Sequence, residues 1–324
     1  MTLDEVFAEP MVDLGETDPT FTGIHTPRSA LGSIKVGVTA QFLQHADEYH
    51  RRYHDVEYWS FLLGNALSAA GIGGEPAAVI DIGSGSGNSV IPLAERFPRA
   101  RIIATDLSPQ LLAILRDFLG RRPDVMERVS LVCVDAQAAA YREGIADLAV
   151  GAAILHHLLE PARALAACRA ALKPGGWAMF FEPFEAGNAI MKLAYERILA
   201  QASDAERASD AMRFLAAMVE DYTVRQRPKS DPVFRDIDDK WLFTRSYFER
   251  MRAEQGWSEL VVYPLNVSAR LLRNQAEVHL KLGRGLPPAA LPAWAWDIID
   301  SIDAGISDDL RREWATEAAI LLRR

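Results

Sequence analysis

Cysteine is nearly absent from this chain. Cys133 and Cys168 are the only two in 324 residues, and they match neither a CxxC pair nor a zinc spacing, so a disulfide scaffold is excluded. Long apolar runs are missing too: none approaches the roughly 20 residues needed to span a bilayer. The first stretch, MTLDEVFAEPMVDLGETDPT, has acids and no basic residue, so no secretory or transit peptide is expected. Basic residues are outnumbered 35 to 44, for a net charge of −9. A surface that neutralises a phosphate backbone needs the opposite balance, so nucleic acid is not an expected partner. These absences leave a cytoplasmic enzyme or binding protein that uses no membrane.

What is present is an alternation of strand and helix. The runs AAVIDIG (77–83), ARIIATD (100–106), VSLVCVDA (129–136), ADLAVGAAIL (146–155) and WAMFFEP (177–183) are apolar on both faces and separated by helical segments, the pattern of a parallel sheet covered on both sides. The helix LSPQLLAILRDFL has Ser108 as its cap and Pro109 at its first position. Ahead of the sheet, residues 1–40 read as an arm lying on something else. From about 41 to 70 the recurrence of Tyr49, Tyr53, Val56, Ser60 and Leu63 predicts one helix. Beyond Pro183, two helices are expected over 186–223, a charged loop over 225–240, and a helix at 245–255, where Ser246 and Glu249 have capping-box spacing. Strands are expected at 260–266 and, from the alternation in AEVHLKLG, at 276–283. Two terminal helices follow, the last with Leu310, Trp314 and Leu321 on one stripe.

The stretch DIGSGSG (81–87) is a glycine loop between a strand and a helix, the place where α/β folds bind nucleotides. A P-loop requires GxxxxGK[ST], and no lysine follows these glycines. The dinucleotide fingerprint requires a third glycine where Asn88 stands. Asp81, two residues before Gly83, would repel a pyrophosphate and suit a ligand that carries positive charge.

S-adenosylmethionine is such a ligand, and DIGSGSG (81–87), ATDLS (104–108), CVDAQ (133–137), ADLAVGAAILHHL (146–158) and LKPGGWAMFFEP (172–183) resemble, in order, the motifs of class I S-adenosylmethionine-dependent methyltransferases. The resemblance covers about residues 77–183 and is weaker over 240–257. It implies a Rossmann-like α/β fold: a parallel sheet of about seven strands with an antiparallel last strand, helices on both faces, and a helical cap. It also implies that Asp81 holds the methionine ammonium, while Gly83, Ser84, Gly85 and Gly87 let the backbone approach the amino-acid part. Asp106 would accept the ribose hydroxyls, Leu107 would pack on the adenine, and Asp135 and Ala136 would read its edge. The plainer reading of Asp106 or Asp135 alone is a helix cap.

The same resemblance puts the acceptor over the ends of the fourth and fifth strands, which points to His156, His157 and Glu182. A histidine near its ordinary pKa of ~6.5 is a suitable base at neutral pH. Against this stand simple packing for the histidines and a structural hydrogen-bond role for Glu182. In the first helix, Tyr49, Tyr53 and Trp59 would form a lid over the cofactor or pack helix on sheet. His50 and His54 have the i, i+4 spacing of two metal ligands, but no third ligand falls in register and no metal is expected. Arg225, Arg227, Lys229 and Lys240 lie among Asp231, Asp236, Asp238 and Asp239 and read as a solvated, self-paired loop. Trp294, Trp296 and Trp314 fit either an interface, as in a homodimer, or core packing. Cys133 and Cys168 read as inert.

The expected organisation is an arm and lid helix (1–75), the cofactor-binding core (76–185), a helical substrate cap (186–244), the last helix and strands of the core (245–285) and C-terminal helices (286–324). The expected function is methyl transfer from S-adenosylmethionine to a small-molecule acceptor, with S-adenosylhomocysteine as the product. The alternatives are a different reaction on the same cofactor, such as a cyclisation, a non-catalytic cofactor-binding regulator, or a nicotinamide enzyme.

Overall fold

A computed structural model describes residues 2–31, 45–265 and 267–324. Its centre is one sheet with strands β1 (Met11–Asp13), β2 (Ile24–Pro27), β3 (Ala78–Ile82), β4 (Arg101–Asp106), β5 (Val129–Cys133), β6 (Ala146–Ala152), β7 (Leu172–Pro183), β8 (Glu259–Pro264) and β9 (Glu317–Arg323). They lie in the order β1-β2-β5-β4-β3-β6-β7-β9-β8. Strands β3 to β7 are mutually parallel, and β9 runs antiparallel to both β7 and β8. The chain leaves β3 toward β4 and β5, then returns to lay β6 and β7 on its other side. That reversal opens a crevice at the carboxyl ends of β3 and β6, where open α/β sheets bind ligands.

Alternation along each strand divides the core between two faces. Val79, Ile102, Leu131, Val150 and Met179 face one side with the helices Val56–Ala69 (α2), Val90–Arg96 (α3) and Pro109–Leu119 (α4). Ile80, Ile103, Val132, Ala149 and Phe180 face the other with Pro161–Ala171 (α5) and Arg245–Gln255 (α8). The helices Glu185–Gln201 (α6), Asp210–Arg225 (α7), Leu271–Arg284 (α9) and Ala293–Gly305 (α10) form a separate core of their own around Tyr195, Leu215, Leu272 and Ile299. This is the cap. Among the described residues, no helix is long and apolar enough to cross a membrane.

Several expectations are corrected. The sheet has nine strands where about seven were expected, because part of the 1–40 arm pairs with it: β2 lies parallel to β5, and β1 antiparallel to β2. The helix expected over 41–70 is two, Ala46–Tyr53 (α1) and α2, broken at His54 and restarted by Asp55, whose side chain accepts from Tyr58 N; residues 41–44 lie outside the described residues. The strand expected at 276–283 is the middle of α9. Its buried positions, Leu271, Leu272, Gln275, Ala276 and Leu280, follow a helical stripe, and Val278 and Leu282, which completed the alternation, are exposed. The stripe of Leu310, Trp314 and Leu321 is not a helix face, since Leu321 belongs to β9, whose Ala318–Leu322 are all fully buried between β7 and β8. The expected unit of C-terminal helices therefore includes a central strand of the sheet. Finally, α8 has the expected bounds, but its cap is Thr244, which accepts from Tyr247 N; Ser246 lies inside the helix.

Cys133 and Cys168 are buried on opposite faces and free, as their apolar settings suggested. Trp296 is buried in the cap core with Trp294 and Trp314 packed against it, so core packing accounts for all three.

Candidate active site

The glycine loop joins β3 to α3. Gly83, Gly85 and Gly87 have φ of +68°, +53° and +108°, a region that side chains with a Cβ rarely adopt. A Cβ on Gly83 would stand 2.6 Å from Ile154, and one on Gly87 would stand 2.7 Å from Leu115. Gly85 is different: nothing lies within 4 Å of where its Cβ would be. The loop therefore presents bare backbone to open space at that point. Ser84 N donates to Thr105 O, which holds the loop against the end of β4.

Asp81 lies beneath this loop, fully buried, and neither of its carboxylate oxygens has a hydrogen-bond partner among the described residues. Burial pushes its pKa up to about 6. The Ser84 and Ser89 hydroxyls offset this only in part, so the carboxylate is unfavourable in the protein alone.

Asp106, at the end of β4, accepts from Gly85 N and Ser108 N at 2.8 Å each. It thus clamps the glycine loop to the start of α4. Ser108 caps α4 as expected. Leu107 is half-buried beside it. Asp135, past β5, accepts from Gln137 N, and Ala136 is half-buried next to it. Neither acid is the helix cap of the plainer reading: Ser108 caps α4, and Gln137 lies in a turn, so each acid closes a local turn at the carboxyl rim of the sheet.

Helix α1 lies across this rim. His50 Nδ1 is 2.7 Å from Ser86 Oγ, Asn88 donates to Tyr53 O, and Asp55 N donates back to Asn88. Tyr49 and Tyr53 line a cleft with Gly83, Ser84, Gly85 and Ser86. Tyr49 is raised well above its ordinary pKa by burial and by the nearby Asp106, Tyr53, Asp239 and Asp238. His50 and His54 lie ring to ring at 4.4 Å, with His50 turned to Ser86. Trp59 packs edge-on against Phe181, at 5.5 Å, and serves the core.

The second group of sequence-predicted residues is built on Glu182, at the end of β7. Its Oε1 accepts from Ile154 N and Leu155 N, and its Oε2 from His156 N and lies 2.7 Å from His156 Nδ1. The turn it holds begins at Ala153, whose φ of +58° is the only positive value among the described non-glycine residues. Such strain persists where the surroundings over-determine it, and four contacts to one buried carboxylate do so. Both oxygens are engaged and the side chain is fully out of solvent, so Glu182 holds the turn and orients His156.

Neither histidine stays near its ordinary pKa. Burial acts to lower His156, but the Glu182 and Asp239 carboxylates override it and hold the imidazole up to about 9. Burial, together with the charge on His156, pushes His157 down to about 3. The two imidazoles are thus driven in opposite directions from the neutral range.

Two participants went unrecognised in the sequence. Asp239 Oδ1 lies 3.3 Å from His157 Nδ1 and 3.5 Å from His156 Nε2. Burial would raise its pKa, but His156, His157 and Arg225 hold it well below the usual carboxylate range. Arg225 is buried, pairs with Asp221, and lies 3.7 Å from Asp239 Oδ2. The expected solvated loop is thus partly inward-facing: Lys229 donates to Arg225 O and Lys240 O, and buried Lys240 donates to Ile237 O. Only Arg227 with Asp231 keeps the exposed, self-paired character. The available signal was Phe234 and Trp241 interleaved with the charges, since Lys229 lies over both rings.

Residues 80–180 match the model of the methyltransferase domain family. The malonyl-[acyl-carrier protein] O-methyltransferase of Geobacter sulfurreducens is 37% identical over 110 residues, which are 34% of this chain and 39% of that protein. The trans-aconitate 2-methyltransferase of Methylobacterium nodulans is 36% identical over 138 residues, 42% of this chain and 46% of that one. The chain therefore spans less than half the length of these curated relatives. The structure of Haemonchus contortus phosphoethanolamine N-methyltransferase 2 in complex with S-adenosyl-L-methionine shares the fold, with a TM-score of 0.50 at 14% identity over 89% of this chain and 60% of that one. Motif order, strand order and the family match agree over residues 80–180, which form a methyltransferase domain.

Proposed function

We propose that the protein transfers a methyl group from S-adenosylmethionine to an oxygen nucleophile of a small molecule. The observation that carries this reading is Asp81: a buried carboxylate without a partner, under a loop whose backbone is bare at Gly85. A phosphorylated carrier would be repelled there, and a cationic amino-acid group would be held. S-adenosylmethionine supplies a methyl carbon on a sulfonium, to which the acceptor's lone pair bonds as the C–S pair returns to sulfur.

The chain's own residues then bind, orient and enclose. Asp81 takes the ammonium. Asp106 accepts from the ribose with the lone pairs left by Gly85 and Ser108, Leu107 packs on the adenine, and Asp135 and Ala136 meet its edge. Tyr49 and Tyr53 close over the crevice and exclude water. The acceptor enters between the Ile154–His157 turn and the cap, where Arg225 and Asp239 set the polarity. The matches to O-methyltransferases support an oxygen nucleophile.

Calorimetry with S-adenosylhomocysteine tests the cofactor half of the reading. One saturable site is expected, lost in Asp81→Asn; no heat with a correctly folded protein overturns it. Incorporation of labelled methyl groups across metabolite pools then identifies the acceptor.

A further inference from the structure

We propose that His156, His157 and Asp239 form a binding site for a divalent transition-metal ion, with zinc the ion whose geometry they match. The histidine pair in α1 lacks a third ligand in sequence; the fold supplies one to a different pair, from 82 residues downstream. The three donor atoms lie within 4.8 Å of one another. Asp239 Oδ1 stands 3.3 Å from His157 Nδ1 and 3.5 Å from His156 Nε2. Ligands bonded to zinc at about 2.0–2.1 Å in a tetrahedron are separated by about 3.3 Å.

The surroundings are those of a built site. Glu182, buried and fully engaged, lies 2.7 Å from His156 Nδ1. An ion would displace the second proton of His156, the one facing Asp239, while the carboxylate keeps the first on Nδ1 and leaves the Nε2 lone pair as ligand; carboxylate–histidine pairs of this kind orient metal ligands. The loop that carries Asp239 is stitched to the histidine turn: Lys240 N and Trp241 N both donate to His156 O, and Trp241 Nε1 donates to Leu158 O at 2.8 Å. Arg225 attends the other oxygen of Asp239 and leaves Oδ1 toward the imidazoles. The carbonyl oxygen of Asp238, 3.2 Å from His157 Nδ1, adds a further oxygen donor at the rim.

Three protein ligands leave a position for a hydroxyl or carboxylate oxygen of an acceptor. This last clause alone rests on the methyltransferase reading.

The test uses the full chain, treated with a chelator and dialysed, without S-adenosylmethionine. Zinc is titrated by calorimetry, and cobalt by visible absorption. One site of micromolar affinity or tighter is expected, with the intense cobalt bands of a four-coordinate site. Asp239→Asn and His157→Gln should each weaken zinc by more than about 100-fold, and Glu182→Gln by about 10-fold or more. His50→Asn should leave the affinity unchanged. Asp239 is partly exposed, so its variant is the one whose folding, checked by circular dichroism, is least at risk. The proposal is overturned if folded protein shows no saturable zinc binding, if Asp239→Asn binds like the parent, or if His50→Asn abolishes the site. A failure here leaves homocysteine-nucleoside binding at Asp81 untouched, and the converse also holds.

Discussion

Two acids lie at the carboxyl ends of strands, Asp81 in β3 and Glu182 in β7, and both are buried. Their surroundings are opposite. Glu182 has four contacts, three from backbone N–H groups and one from His156, while Asp81 has none on either oxygen. A buried charge that the protein satisfies itself is part of the framework, and one that it leaves unsatisfied is part of a binding site. The difference separates a glycine-loop region prepared for a ligand from a histidine-turn region locked by its own hydrogen bonds.

Replacing each acid by its amide breaks or sharpens this contrast. Glu182→Gln turns an acceptor into a donor facing N–H groups and should destabilise the fold by about 3–5 kcal/mol, measured by denaturant unfolding. Asp81→Asn should do the reverse. The folded-state pKa of Asp81 is raised from 3.8 to about 6, so the ionised group opposes folding above pH 6, and the apoprotein should gain stability as pH falls from about 6 toward 4. The amide should remove that pH dependence and add on the order of 2–3 kcal/mol at pH 8. The same variant should lose at least about 100-fold in affinity for S-adenosylhomocysteine. Loss of both stability and affinity in Asp81→Asn would break the comparison.

Smaller effects refine it within the glycine loop. Gly83→Ala meets Ile154 in a left-handed conformation and should cost about 2–4 kcal/mol of stability. Gly85→Ala has the same conformational penalty, about 1–2 kcal/mol, but no clash in the protein alone; its added methyl occupies the open face and should weaken S-adenosylhomocysteine more than it weakens the fold. The smallest change is expected from His50→Ala, which removes the contact to Ser86 Oγ and should raise the dissociation constant for S-adenosylhomocysteine by no more than about 10-fold, with little change in thermal stability.

Much of the cofactor side was readable before any coordinates. Asp81, Gly83, Gly85 and Gly87 fall in one short loop and Ser108 caps the helix that starts beside it, so their geometry follows from local backbone preference and side-chain reach. The acceptor side was not. Asp239 and Arg225 stood in a run of mixed charge, for which solvation is the ordinary outcome, and only the docking of Lys240 and Trp241 on the His156 carbonyl turns that loop inward. Likewise Val278 and Leu282 imitated strand alternation in a helix whose buried stripe lies elsewhere. The apolar run 318–322 carried no period of its own, so its neighbours decided its structure.

The amino-acid order by itself determined the five parallel strands, the left-handed glycine loop and the capped helix after β4, because each follows from the period or dihedral preference of a short segment. Tertiary structure alone decided that the chain's last strand completes the sheet, that the arm extends it by two strands, and that an acid 82 residues beyond a pair of histidines stands between them. The physical reason is range: dihedral preferences act over a few residues, whereas pairing, burial and charge compensation depend on which distant segments the packed core brings into contact.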